Sequence, residues 1–405
     1  MLFKNGILLS QSFLLISVLS LTLMKTETGN AKPVKILADT LFLKSLGINP
    51  TLSDSQLKLS IAEVSEYQAD TISHAAHKFH KCGGFERLPD SENMTESFAS
   101  MRQWRAQAQA FEFIGNPIPN VEKKTAIDTA TKQVSEENLL ATVRWLSNYP
   151  SRYHKGNSKH VEDLAEKVKQ MLLGVTYPYQ IELIEHTQTK QKTLRVHLQG
   201  KDHPDELVIL GGHLDSIVRM GGVAPGADDN ASGSSNILEA LRIIATQPQA
   251  SRSIEFFWYA GEEGGLIGSS EIAQNYKQAN ANVIGVLQLD MTLFPGEGEL
   301  VIGDMTDFTS PWLRNYLKTL NNFYVGAQWK EDECGYGCSD HASWHRQGYA
   351  AVMPFEAVFN TMNQNLHTPK DIITPELSFK HSAAFAKLAI AYAMDLSNST
   401  LKPTF

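Results

Sequence analysis

The sequence predicts an α/β fold in which one β-sheet is covered by helices on both faces. Short apolar runs at residues 207–210, 254–259, 283–289 and 350–353 are β-branched or aromatic and bounded by glycine or polar clusters, as buried strands are. Around them lie stretches with helical periodicity at 135–146, 159–173, 234–245 and 377–396. Strands and helices that alternate in this way build stacked layers, each strand run being covered by the helices that flank it.

At the start of the chain, residues 1–31 are expected to be an export signal. Lys4 precedes an apolar stretch from Ile7 to Met24, and Gly29 and Ala31 offer a cleavage point. Gln11 and several serines dilute that stretch and argue against a permanent membrane anchor, so no stable membrane association is expected. Residues 32–120 form a mixed segment that ends in the turn-rich Gly115-Asn-Pro-Ile-Pro-Asn120. Behind an export signal it is expected to be a pro-region, removed after secretion together with Cys82. His74, His77 and His80 within it share helical spacing and read as a solvated face. Residues 121–399 then form the main domain, and 400–405 a short tail.

The formal net charge is -8, with no block of like charges, which leaves no footprint for a nucleic-acid partner. Cys334 and Cys338, in Cys-Gly-Tyr-Gly-Cys, could form a short-loop disulfide or hold a metal. The missing second Cys/His pair at zinc-finger spacing favours the disulfide, with Cys82 left over.

Function is read from where the acidic and imidazole side chains fall. Gly212-His213-Leu-Asp215 leaves the first predicted strand with His and Asp two residues apart, so in extended backbone both point the same way. That suits a metal ligand and the carboxylate that holds its other ring nitrogen. Gly226-Ala-Asp228-Asp229-Asn-Ala-Ser-Gly233 puts adjacent carboxylates in a tight turn before a helix, more than a helix cap requires. Gly261-Glu262-Glu263-Gly264 follows the second strand, and its flanking glycines oppose a solvated helical face. Asp290 follows a buried run and needs a partner there. His367-Thr-Pro-Lys-Asp371 places a histidine in a proline-stiffened loop.

Two histidines and three carboxylates at strand ends match the needs of a two-metal hydrolase, and mixed nitrogen and oxygen donors point to zinc. Five ligands for two ions require one bridging carboxylate. Asp228, central in chain order and on the tight turn, is the expected bridge.

These motifs, in this order, closely resemble the M28 family of co-catalytic zinc aminopeptidases, especially the secreted bacterial leucyl type, over residues 120–399. The resemblance implies a zinc-exopeptidase fold, with a mixed β-sheet sandwiched between helices. It implies two zinc ions, one held by His213 and Asp290 and the other by Glu263 and His367, bridged by Asp228 and a water. Glu262 would be the general base, Asp215 would orient His213, and Asp229 would shape the turn that presents Asp228. The resemblance also makes Cys334–Cys338 a disulfide beside a pocket lined by Met291, Tyr336, Met353, Phe355, Phe359 and Leu366, which fits a hydrophobic N-terminal residue of a peptide. Met362 stands where relatives often carry tyrosine.

The expectation is therefore a secreted, monomeric zymogen that releases hydrophobic residues from peptide N-termini. Alternatives are a carboxypeptidase or glutaminyl cyclase on the same scaffold, or an inactive binding protein. A carboxypeptidase needs a cation for the substrate carboxylate, and only Arg219 and Lys370 lie near the motifs.

Overall fold

The computed structural model describes residues 33–76, 84–88, 93, 95–96, 98–103, 121–218, 222–296, 298 and 300–400. The expected export signal, His77, His80, Cys82, the 115–120 linker, Arg219 and residues 401–405 of the tail lie outside the described residues, as does the His74 side chain.

The N-terminal segment contains β1 (Val34–Asp39), α1 (Thr40–Ser45), β2 (Leu52–Asp54), β3 (Leu59–Val64), α2 (Glu66–Ala76) and β4 (Phe85–Leu88). Its strands pair antiparallel in the order β2-β3-β1-β4. The sequence reading did not anticipate this sheet, because runs of three to six residues are too short to establish a period. Alternation along β1 divides it between two environments. Ile36 and Ala38 pack with Phe42, Leu43, Ile72 and Ala76 of the helices, while Leu37 faces the rest of the chain.

The main domain opens with α3 (Thr125–Thr131), α4 (Glu136–Ser147) and α5 (Lys159–Met171), followed by β5 (Tyr179–Ile184), β6 (Thr193–Leu198) and β7 (His203–His213). Next come α6 (Ala231–Ile244), β8 (Arg252–Tyr259), α7 (Ile267–Gln278) and β9 (Asn282–Gln288). The chain continues through β10 (Val301–Met305), α8 (Pro311–Tyr324), β11 (Gln328–Asp332), α9 (His341–Arg346), β12 (Ala351–Val352), β13 (Pro354–Phe355) and α10 (Phe379–Leu396).

The six-stranded sheet has the order β12-β9-β7-β8-β6-β5, parallel from β12 to β8 and antiparallel beyond. A smaller sheet, β11-β10-β13, lies apart from it and has no signature in the apolar runs. Helices cover both faces of the large sheet, as alternation along its strands demands. Ile254, Phe256 and Trp258 of β8 pack into the core formed with α4, α6, α8 and α10, whereas Phe257 and Tyr259 face Ile272 of α7 and Trp344 of α9. Burying each such large apolar side chain contributes about 1.5–3 kcal/mol. Ser135 and Ser378 cap α4 and α10 by accepting from Asn138 N and His381 N. Helix α6 begins before the predicted 234, because Asn230 caps it by accepting from Gly233 N.

Candidate metal centre

Strands β9, β7 and β8 run parallel and stop on one edge of the sheet. His213 ends β7, Glu262 and Glu263 follow β8, and Asp290 follows β9, so the topology gathers them where the connections diverge and leave room for a ligand. The turn before α6 and the loop before α10 add Asp229 and His367.

Donor atoms fall into two groups that share one residue. His213, Asp229 and Asp290 form the first, and Asp229, Glu263 and His367 the second, with the atoms of each within 4.8 Å of one another. His213 Nε2 lies 3.1 Å from Asp229 Oδ1 and 3.3 Å from Asp290 Oδ1. On the other side, His367 Nε2 is 3.0 Å from Asp229 Oδ2 and 2.8 Å from Glu263 Oε2.

The shared carboxylate is therefore Asp229, which corrects the expectation for Asp228. Asp228 turns away: Oδ1 accepts from Thr292 N and Leu293 N at 3.2 and 3.0 Å, and Oδ2 accepts from Asn363 Nδ2 at 2.9 Å. Adjacent side chains in a turn diverge, so only one of the two can face the histidines, and central position in the motif does not say which.

Asp215 Oδ1 is 3.4 Å from His213 Nδ1, and its carboxylate also accepts from Glu262 N and Glu263 N at 3.0 and 3.2 Å. Cys334 and Cys338 are bonded to each other. Met291, Tyr336, Met353, Phe355 and Leu366 cluster beside that disulfide with Met305 and Met362, and Phe359 packs against the group. Asp340 and His341 are buried, with Asp340 Oδ2 accepting from Gln288 Nε2 at 2.8 Å. Asn230 is buried in the ligand turn.

None of the residues in the two groups is more than 2 % exposed. Buried carboxylates packed this closely are costly unless a cation compensates them. Asp290 Oδ1, Glu263 Oε1 and the neighbouring Glu262 Oε2 are buried without a hydrogen-bond partner, which is what ligand atoms and an adjacent base look like. Burial pushes the Glu262 carboxyl well above the usual carboxylate range, against the pull of His213, with Glu263 and Asp290 pushing further. Burial likewise carries Glu263 up to about 7. At His213 and His367 burial favours the neutral ring, but the surrounding carboxylates together outweigh it and raise both imidazoles: Asp290, Glu262, Asp215 and Asp229 around His213, and Glu263 and Asp229 around His367. A centre that draws protons onto two histidines is one that stabilises positive charge, and its mixed nitrogen and oxygen donors fit zinc.

Sequence reasoning missed three supporting residues. Arg152, fully buried, donates from Nε to Leu214 O at 2.9 Å and from its two other nitrogens to Pro225 O and Gly226 O at 2.5 and 2.8 Å. It thereby joins the His213 strand end to the Asp229 turn. Gly226 has φ +51°, and a Cβ there would meet Asp229 O at 2.3 Å and Arg152 at 2.8 Å. Ser339 donates to Asp290 Oδ2 at 2.6 Å, and Asp371 accepts from Asp228 N and Asp229 N at 3.0 Å each. A lone Arg, Ser or Asp in a loop carries no signal of this kind; only the Gly-rich turn hinted at close packing.

The N-terminal segment, helix as well as sheet, packs against the loop that carries Glu263. Ser73 Oγ donates to Glu263 O at 3.1 Å, Arg87 Nε to Gly264 O at 2.5 Å, and Arg87 N to Gly265 O at 3.0 Å. Leu37, Leu59, Ile61, Leu88, Phe98 and Met101 pack into the same cluster as the pocket residues.

Residues 194–393 match Peptidase family M28. A protein named "Probable leucine aminopeptidase" in Arthroderma benhamiae is 34% identical over 305 residues, covering 73% of this chain and 82% of its own length. Leucine aminopeptidase 1 of Trichophyton equinum is 34% identical over 298 residues, covering 69% of this chain and 78% of its own. Among solved structures, the LapA aminopeptidase of Legionella pneumophila superposes with a TM-score of 0.79 at 26% identity, covering 92% of this chain and all of that one. The chain belongs to peptidase family M28.

Proposed function

We propose that this peptidase is an aminopeptidase that uses two zinc ions to release hydrophobic residues from peptide N-termini. The observation that carries the reading is Asp229, whose two carboxylate oxygens each face one histidine, with Asp290 and Glu263 completing the two donor groups. His213, Asp229 and Asp290 would hold one ion, and Asp229, Glu263 and His367 the other. The working unit in this reading is a monomer.

When bound, such a pair supplies a water of lowered pKa and polarises the scissile carbonyl. Glu262, buried beside both groups and held up in pKa, accepts the proton of the attacking water and passes it to the leaving amine. Asp215 fixes the His213 ring through Nδ1 and holds the Glu262-Glu263 backbone through both oxygens. Met291, Tyr336, Met353, Phe355, Phe359 and Leu366 offer the first side chain of the substrate an apolar, sulfur-lined pocket.

Residues 32–120 act as a pro-region in this reading. The N-terminal segment packs against the residues that line the pocket and donates to the Glu263 and Gly264 carbonyls, which supports the reading that it leaves before substrate enters. The apolar stretch at 7–24 supports export and a secreted site of action. No helix among the described residues is long and apolar enough to cross a membrane.

The test is turnover of Leu-, Phe-, Lys- and Arg-p-nitroanilide before and after limited proteolysis, with and without a chelator, alongside an N-terminal glutaminyl peptide and a C-terminally cleavable one. Chelator-sensitive release of Leu and Phe over Lys and Arg is the expected result. Inactivity on all four anilides by a zinc-loaded, processed chain overturns the reading.

A further inference from the structure

We propose that Asp371 is a positioning residue that fixes the bridging carboxylate Asp229, and so sets the affinity of the centre for both metal ions. Three consecutive amides of the ligand turn end on this one residue. Ala227 N donates to the Asp371 carbonyl at 3.0 Å, Asp228 N to Oδ1 at 3.0 Å, and Asp229 N to Oδ2 at 3.0 Å. Asp371 is 2 % exposed, so these bonds are shielded from water.

The arrangement repeats one already described. Asp215 lies two residues after the ligand His213 and uses both oxygens to hold the amides of Glu262 and Glu263. Asp371 lies four residues after the ligand His367 and uses both oxygens to hold the amides of Asp228 and Asp229. Each histidine loop is thus locked to the carboxylate-bearing turn opposite it by a non-ligand aspartate, and the centre is assembled from two braced halves.

His367 itself shows why the brace is needed. Its backbone is left-handed, at φ +55°, a conformation that persists in a non-glycine residue only where the surroundings impose it. Asp371 N donates back to Thr368 O at 3.1 Å, which closes the short loop between His367 and the clamp. Because Asp229 serves both donor groups, displacing its backbone weakens both at once, whereas displacing Asp290 or Glu263 would disturb one.

The proposal rests on the two-zinc reading, and the experiment separates the two. The full-length chain is stripped with a chelator and titrated with Zn2+ against a competing chelator, and with Co2+ while its visible absorption is followed. Wild type, Asp371→Asn and Asp371→Glu are compared. Asparagine keeps the shape of the side chain but turns one acceptor into a donor that faces an amide N–H. Glutamate keeps both acceptors and changes the volume.

Wild type is expected to bind two ions. Asp371→Asn should bind both about 10–100-fold more weakly, with an altered Co2+ spectrum, as loss of an outer partner does at metal sites. Asp371→Glu should lose less than Asp371→Asn. Unchanged affinity and spectrum in Asp371→Asn overturn the proposal, as does a larger loss in Asp371→Glu, the order expected from packing alone. If Asp371→Asn does not fold, Asp371→Glu decides: binding within about tenfold of wild type supports the clamp, and weaker binding overturns it. Failure of both to fold also overturns it, by making Asp371 a determinant of the fold. A wild-type chain that binds no metal instead overturns the two-zinc reading.

Discussion

Asp228 and Asp229 are neighbours whose carboxylates serve opposite sides of one turn. Asp229 reaches His213 and His367, while Asp228 is occupied by the amides of Thr292 and Leu293 and by Asn363. Asp229→Asn is expected to lose tight binding of both metal ions and nearly all activity. Asp228→Asn should keep both ions and instead lose about 1–3 kcal/mol of stability, since its new amide group faces Asn363. Metal content by elemental analysis and melting of the two variants check the division of labour. Retention of two ions by Asp229→Asn contradicts the bridge.

Glu262 is the buried carboxyl closest in role to a proton carrier, and it belongs to neither donor group. Glu262→Gln is expected to retain both zinc ions and lose about 10²–10⁴-fold in kcat with little change in KM. Near-normal turnover in the variant removes Glu262 as the base.

Arg87 couples the N-terminal sheet to the metal loop through the carbonyls of Gly264 and Gly265, and is itself held by Glu66 at 2.8 Å. Arg87→Ala should weaken docking of the N-terminal unit by about 1–3 kcal/mol. The unprocessed variant should then show higher turnover of Leu-p-nitroanilide and faster proteolytic removal of residues 32–120. Wild-type values for both would mean that the unit is held elsewhere.

His154 and His381 are buried, and burial lowers both to about 4 from an ordinary 6.5. The unfolded chain binds their protons as pH falls through 6.5, while the folded chain does not until about 4. The contribution of these two groups to stability is therefore full above pH 6.5 and falls on acidification between those values, by up to about 1.4 kcal/mol per pH unit for each group. His381 Nε2 faces Glu356 O at 2.8 Å, a bond that a glutamine amide can also donate. His381→Gln should flatten the fall in melting temperature between pH 6.5 and 4 relative to wild type; an unchanged slope discards this group as a contributor.

Much of the main domain was legible in one dimension because buried parallel strands are short, continuous apolar runs. Residues 207–210, 254–259 and 283–289 fall within or at the ends of β7, β8 and β9, and the chemistry-bearing residues follow them directly. The N-terminal sheet and the β11-β10-β13 sheet were not legible. Their strands are short, and their pairing partners lie on segments that carry no period of their own.

By itself, the sequence determined the α/β layers, the ligand-bearing motifs and the candidate disulfide, since each depends on residue type and local spacing. Tertiary structure alone decided that Asp229 and not Asp228 is shared by the donor groups, that Arg152 and Asp371 brace the turn between them, and that the N-terminal segment packs against the cluster around Met291 and Phe355. The physical reason is direction. Two adjacent aspartates have the same composition and almost the same position, and only the packing of the turn against β7, the Asp371 loop and Asn363 fixes which carboxylate meets the histidines.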